Sequence, residues 1–243
     1  MDSAEGCALD RLAHRHQCPA FNGVAVYAAT WLYLAVAAPA TPGAGFGRRA
    51  SCIQKKLGET ILEVKAAHPA DAVELWTQDE ARLGLKPILR RVWSPRGTRP
   101  IAHARPAYEW LWLYAAVHPT SGRVFWLVLP HLNAEMMQRF LDEFAHTHAA
   151  PGQRIVMVLD GATAHRAKSL CIPERVTLVT LPAYTPELNP TERLWSAVRE
   201  GVANRDFSTL DELEQTVCTR CQKISAAPEQ VTALTNYHWL PTT

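Results

Sequence analysis

Three carboxylates stand where acidic side chains could meet at one edge of a sheet: Asp79, Asp160 and Glu192. Asp79 ends an apolar, strand-like run that starts at Ala72, and Asp160 ends a cleaner run that starts at Arg154. Glu192 lies where a proline-rich loop turns into a helix. Converging carboxylates repel one another unless a cation neutralises them, and their hard oxygen atoms suit Mg²⁺ or Mn²⁺. A pair of such ions about 3.5–4 Å apart supports in-line attack on a phosphodiester.

Each of these carboxylates also has a simpler interpretation. Asp79 could merely terminate a strand, Asp160 could cap the next short helix, and Glu192 could favour a helix start through the helix dipole. Glu80 should point to the opposite face of the sheet from Asp79, because side chains alternate along a strand. Glu187 lies in the loop before Glu192 and competes with it as the third ligand.

Three segments around these carboxylates resemble motifs of the DDE-superfamily transposases. They are WTQDEARLGL (76–85), VLDGATAH (158–165) and LPAYTPELNPTERLW (181–195). Their order and approximate spacing, from about Leu57 to the C-terminus, are similar to those of the mariner-related bacterial insertion-sequence 630 family. Three motifs in order are far more specific than any one of them. One departure is that 31 residues separate Asp160 from Glu192, slightly fewer than is usual, and we assign the shortening to Ser169–Arg175.

The resemblance implies an RNase H-like catalytic domain that cuts DNA and transfers strands at insertion-sequence ends. Asp79 and Asp160 would hold the metal ion that activates the nucleophile, and Glu192 would complete the site of a second ion. The cofactor would be Mg²⁺ or Mn²⁺, as two ions. The partners would be transposon ends and target DNA, with a homodimer left open. Two alternatives are an RNase H-like nuclease without strand transfer and an inactive remnant that lacks its end-recognition domain.

Alternating apolar segments predict the elements that would position this site. Antiparallel strands followed by strand–helix alternation are typical of an α/β, RNase H-like mixed sheet with flanking helices. An inserted β-hairpin is also predicted, because Ser94-Pro95-Arg96-Gly97 is a turn signal between two apolar runs. The predicted strands are Ala72–Gln78, Ile88–Trp93, Arg99–His103, Tyr108–His118, Arg123–Leu129, Arg154–Leu159 and Val176–Leu181. The predicted helices are Leu57–Ala67, 134–148 after an Asn133 cap, Glu192–Val202 and Leu210–Ile224.

The composition does not indicate a nucleic-acid binder, because 25 Lys and Arg nearly balance 23 Asp and Glu, for a formal charge of +2. A basic surface must therefore come from a local cluster. The predicted hairpin carries the densest one, at Arg90, Arg91, Arg96, Arg99 and Arg105. We expect these arginines to contact DNA phosphates, although a solvated hairpin face would explain them equally well. His165 could touch the scissile phosphate or water, or could be a buried histidine at a helix start.

The first 56 residues differ from the rest and are predicted to be an atypical, poorly ordered segment and linker before the catalytic domain at residues 57–243. The run Gly23–Ala40 carries no charge and could be a membrane anchor or a secretory signal. We favour a truncation or reading-frame remnant, since no helix-turn-helix pattern is found there. Six scattered cysteines indicate reduced thiols and a cytoplasmic protein. No stable membrane partner is expected.

Overall fold

The computed structural model describes residues 44–97, 101 and 107–241 of the chain. The predictions made for residues 1–43 lie outside these residues, as do those for Arg99 and Arg105. No helix within the described ranges combines the length and the apolar character that crossing a membrane requires.

Five strands form one mixed sheet in the order β3-β2-β1-β4-β5. The strands are β1 (Ala72–Gly84), β2 (Trp110–His118), β3 (Arg123–Leu129), β4 (Gln153–Leu159) and β5 (Val176–Thr180). β1 to β3 are antiparallel neighbours, whereas β4 and β5 run parallel to β1. The predicted mixed α/β sheet is therefore confirmed, with β1 at its centre.

Helices cover both faces of this sheet. They are α1 (Ala44–Ala67), α2 (Ala134–His148), α3 (Leu194–Val202), α4 (Leu210–Ser225) and α5 (Pro228–Thr235). Three 3-10 helices, Thr163–Arg166, Pro186–Leu188 and Pro190–Arg193, lie in the loops near the strand ends. The predicted Asn133 cap of α2 is confirmed, because the Asn133 side chain accepts a hydrogen bond from the backbone of Met136 at 2.8 Å.

The alternation of side chains along β1 divides the core into layers. Trp76 packs on one face among the phenylalanines of α2, whereas Leu75 packs on the opposite face with α1. Leu83, on the same face as Leu75, packs with α3 and α4. This period of two sends neighbouring side chains to opposite faces. Asp79 accordingly faces the α3 side and Glu80 the α2 side, as expected from the sequence.

The first helix begins at Ala44, well before the predicted start at Leu57. Ala50 and Ile53 are buried in the same core cluster as Leu57 and Ile61. This spacing of three and four residues forms one helical stripe, so burial overrides the weak helix propensity of the glycine-rich start. The predicted boundary between residues 56 and 57 therefore falls inside α1, and the division of the chain into domains stays a prediction.

The predicted hairpin strand Ile88–Trp93 is also corrected, because this segment forms no strand. The Asn204 side chain takes the place of a strand partner. It accepts a hydrogen bond from the backbone of Arg90 at 2.8 Å and donates one to the Arg90 carbonyl at 3.1 Å. Ile88 is partly buried against the core, but Leu89, Val92 and Trp93 are exposed, so the segment lacks the alternation of buried and exposed side chains that a sheet strand shows.

Candidate active site

Asp79 lies within β1 rather than at its end, opposite Ala115 of β2. It is 7% exposed, and its Oδ2 atom accepts a hydrogen bond from the indole nitrogen of Trp195 at 2.6 Å. Trp195 is itself buried in α3, so it fixes the orientation of the Asp79 carboxylate.

Asp160 directly follows β4 and lies beside Asp79. The parallel register pairs Thr77 with Val158, so Asp79 and Asp160, each two residues further on, lie at the same level of neighbouring strands. Asp160 Oδ1 accepts a hydrogen bond from the backbone of Ala162 at 2.9 Å. The turn after β4 thus holds one oxygen of this carboxylate.

Glu192 lies in the 3-10 helix that precedes α3, and two buried side chains attach this segment to β1. Asn189 donates a hydrogen bond to the Gln78 carbonyl at 2.9 Å, and Thr191 donates one to the Thr77 carbonyl at 2.8 Å. Both bonds reach the strand just before Asp79. In the motif Asn-Pro-Thr-Glu, the asparagine and the threonine therefore attach the segment that carries Glu192 to the strand that carries Asp79.

The three carboxylates line one open cavity of about 520 Å³. Two loops form its walls, residues 161–163 after β4 and residues 181–186 after β5. The competing Glu187 is not among the lining residues, and its carboxylate pairs with Arg49 at 3.2 Å on the surface. Of the two glutamates, the structure brings Glu192 together with the aspartates.

The electrostatics of the cavity favour a cation. Burial, followed by the charge of Glu192, raises the pKa of Asp79 well above its ordinary value. Burial also raises the pKa of Glu192, with Asp160 adding to the rise and Arg199 opposing it. Both shifts mean that the ionised carboxylates lack sufficient compensating positive charge. A bound cation would supply that charge.

Asp160 differs because His165 compensates its charge. The His165 ring is fully buried, with Nδ1 2.8 Å from Asp160 Oδ1 and Nε2 2.7 Å from Glu80 Oε1. Burial alone lowers the pKa of His165, but the hydrogen bonds with Asp160 and Glu80 outweigh it and raise the pKa to about 10. The hydrogen bond from His165 lowers the pKa of Asp160.

Both nitrogens of His165 are therefore engaged within the protein. The predicted contact between His165 and DNA would need one of these nitrogens, so the structure favours the buried alternative. Glu80, which the sequence placed only on the opposite face of the sheet, also accepts a hydrogen bond from Gln78 at 2.8 Å. Its part in this chain of hydrogen bonds could not be read from the sequence, because the partners are far apart in it.

Residues 74–214 match the family model described as DDE superfamily endonuclease. This match covers more than half of the chain. The chain belongs to the DDE endonuclease superfamily. A protein of Sinorhizobium fredii (strain NBRC 101917 / NGR234), named uncharacterized protein y4pE/y4sA, is 32% identical over 131 residues, which are 54% of this chain and 96% of that protein.

Several solved structures resemble this DDE endonuclease domain. The Mos1 transposase paired-end complex with the left transposon end is 18% identical with a TM-score of 0.43, over 87% of this chain and 66% of that chain. The Mos1 mariner paired-end complex with Mn is 17% identical with a TM-score of 0.44, over 90% of this chain and 68% of that chain. The BIV integrase catalytic core is 18% identical with a TM-score of 0.37, over 60% of this chain and 81% of that chain.

The donor atoms of the DDE endonuclease domain fit a hard divalent ion, since three carboxylates line one cavity. Among the residues that the structure describes, however, no three side chains are already close enough to hold one ion. Asp160 is held towards His165 and Asp79 towards Trp195, while both line the same cavity as Glu192, so the sharing of an ion by these three carboxylates stays a prediction.

The arginine segment of the DDE endonuclease domain, residues 90–96, lies on the surface. Arg90 pairs with Glu200 of α3 at 3.3 Å, and its backbone is held by Asn204. Arg91 and Arg96 are exposed. Contact between these arginines and DNA phosphates stays a prediction.

Proposed function

We propose that this chain is the catalytic domain of a transposase that cuts DNA at insertion-sequence ends and transfers the freed strand to target DNA. The insertion sequence would belong to the mariner-related 630 family. One observation carries this proposal: the carboxylates of three separate motifs, Asp79, Asp160 and Glu192, line one cavity in a DDE endonuclease domain.

The proposed cofactor is a pair of Mg²⁺ or Mn²⁺ ions. Asp79 and Asp160 would hold the first, and Glu192 with one of these aspartates would hold the second. When bound, such ions activate the attacking oxygen and stabilise the leaving oxygen of a phosphodiester. The first attack would be by water, and the second by the freed 3′-hydroxyl on target DNA.

The chain's own residues would prepare this site in advance. Trp195 fixes one oxygen of Asp79, and His165 with the Ala162 backbone fixes one oxygen of Asp160. In each aspartate the second oxygen would then serve as the ligand. Because ligands held by packed neighbours need little rearrangement, they favour binding and catalysis. Asn189 and Thr191 would do the same for Glu192 through the backbone of β1.

The two alternatives differ from this proposal in the reaction they allow. A nuclease without strand transfer would cut DNA but never join its 3′ end to a second molecule. An inactive remnant would do neither, and the retention of all three carboxylates favours activity over this alternative. The proposed partner is DNA, with homodimerisation left open, and the proposed location is the cytoplasm. The division of the chain into an N-terminal segment and a catalytic domain also stays a proposal.

The test is cleavage and joining of DNA that carries the inverted repeats flanking the gene. We expect nicking only with Mg²⁺ or Mn²⁺, and loss of nicking in Glu192→Gln. Glu187→Gln is the matched control, because Glu187 is a surface glutamate five positions earlier that does not line the cavity. Metal-independent cutting, or full activity in Glu192→Gln, would refute the proposal. Cutting without joined products would support the nuclease alternative.

A further inference from the structure

Tyr184 has a backbone conformation that its side chain does not favour. Its φ is +57°, in the left-handed region, and the only other described non-glycine residue with a positive φ is Asn204. Asparagine tolerates this region, whereas an ordinary side chain there costs about 1–2 kcal/mol. Asn204 also gains hydrogen bonds to the Arg90 backbone from its position. Neither explanation applies to Tyr184.

The residues after Tyr184 hold this strained turn in place. Thr185 is buried and donates a hydrogen bond from its hydroxyl to the Pro182 carbonyl at 2.6 Å. The Thr185 carbonyl accepts a hydrogen bond from the backbone of Leu188 at 3.0 Å, and Leu188 is fully buried. The turn is thus closed on one side and anchored in the core on the other.

The side chain of Tyr184 is not packed against the rest of the protein. The residue is 97% exposed, so packing within the protein does not offset its backbone strain. Strain that the fold maintains without a structural gain is typical of binding sites. The position supports this interpretation, because Tyr184 lines the cavity that holds Asp79, Asp160 and Glu192.

A rigidly presented aromatic ring beside a phosphodiester site suits a nucleobase. Stacking between a base and an aromatic side chain is strong and tolerant of sequence, because every base has a π-face. A duplex hides these faces, so a base must leave the stack before it can reach such a ring. The open cavity mouth between residues 161–163 and 181–186 leaves the ring accessible.

We propose that Tyr184 is a stacking platform for one unstacked DNA base next to the phosphodiester that is cut. This inference rests on the proposed function and adds a base subsite to it. The platform would hold the strand in register over the carboxylates, and it would read no sequence.

The binding test uses short single-stranded DNA, whose bases are already unstacked, and follows fluorescence anisotropy without any cleavage. Tyr184→Ala should weaken binding on the order of tenfold or more, whereas Tyr184→Phe, which keeps the ring, should bind like the wild type. A strand of the same length made of abasic sites should bind the wild type and Tyr184→Ala equally. Equal binding of the normal strand by all three proteins would overturn the proposal.

The cleavage test places a single abasic site on either side of the cut phosphate in a duplex. At one of the two positions, the abasic site should make the cleavage rates of the wild type and Tyr184→Ala equal. If Tyr184→Ala cuts intact DNA and abasic DNA more slowly than the wild type by the same factor, the stacking proposal is contradicted. If the wild-type chain cuts no DNA with Mg²⁺, the proposed function fails, and the single-strand affinities still decide the role of Tyr184.

A stability control separates stacking from folding. Tyr184→Asn should melt no lower than the wild type, because asparagine tolerates the left-handed backbone. It should nevertheless bind single-stranded DNA as weakly as Tyr184→Ala. A marked fall in the melting temperature of Tyr184→Asn would show that the ring supports the fold, contrary to the proposal.

Discussion

Replacing Asp79 by asparagine should make the metal-free protein more stable while it abolishes the proposed activity. Burial, followed by the charge of Glu192, raises the pKa of this carboxyl well above its ordinary value. A carboxyl whose pKa is higher in the folded chain loses stabilising free energy as the pH rises above its unfolded pKa. At neutral pH the Asp79 charge therefore opposes folding. Asparagine has the same shape without the charge, and its oxygen can still accept the hydrogen bond from Trp195.

The effect is that of removing one buried charge that has too little compensating positive charge around it. We expect Asp79→Asn to raise the free energy of unfolding near neutral pH by about 0.5–2 kcal/mol, the usual range for a single stabilising substitution. In a domain of this size, each kcal/mol raises the melting temperature by roughly 2–4 °C. The gain should fade towards about pH 4, where the unfolded carboxyl also takes up its proton.

The assay is thermal unfolding in EDTA over a series of pH values. Glu187→Gln should change the melting temperature little, because its pair with Arg49 is on the surface. Asp160→Asn should have the opposite effect to Asp79→Asn, because the hydrogen bond from His165 lowers the pKa of Asp160. If Asp79→Asn melts below the wild type near neutral pH, the Asp79 charge does not oppose folding. If the variant gains the same stability at every pH, the gain does not come from removing that charge. Added Mg²⁺ should stabilise the wild type but not the asparagine variant.

Three further predictions concern residues outside the carboxylate cluster. Glu80→Gln should weaken Mg²⁺ binding, measured by calorimetry, by about tenfold or more, because His165 loses the partner that helps it to position Asp160. An unchanged Mg²⁺ affinity would show that Glu80 does not support the site. Ile53→Ala should lower the free energy of unfolding by about 2–4 kcal/mol in denaturant titrations, because Ile53 is 2% exposed in the core; a negligible change would show that the start of α1 is dispensable. Arg91→Ala and Arg96→Ala should each reduce, by about one, the slope of the logarithm of DNA affinity against the logarithm of salt concentration. An unchanged slope would show that these arginines only face solvent.

The sequence predicted most of the fold where local pattern and burial agree. The uninterrupted apolar run Ile155–Leu159 predicts a buried strand, and it forms most of β4. Asn133 was predicted as the cap of α2 because its side chain acts on the residues next to it. The strand β1 was predicted to end near Asp79 because the apolar pattern stops at Gln78. It continues to Gly84, since the polar Gln78 is buried in the strand and donates a hydrogen bond to Glu80.

The parts that could not be predicted depend on contacts between distant residues. Asn204 supports the Arg90 segment from 114 positions away, and a segment satisfied in that way needs no strand partner. Glu80 and His165 are 85 positions apart, so neither pattern nor spacing indicates their pairing. The candidate carboxylates were identified through motif resemblance, but Trp195 donates its hydrogen bond to Asp79 from 116 positions away, which no local pattern indicates.

The length of helix α3 sets the distance between the cavity and the arginine segment. Glu192 stands just before its first turn, whereas Glu200 and Asn204, at and just beyond its last turn, hold Arg90. A nine-residue helix is about 13.5 Å long, which equals about four base-pair steps of duplex DNA. Duplex DNA that follows α3 from the cavity would therefore reach the arginine segment about four base pairs from the cut phosphate. Shortening or lengthening α3 by one turn would shift that footprint by one to two base pairs.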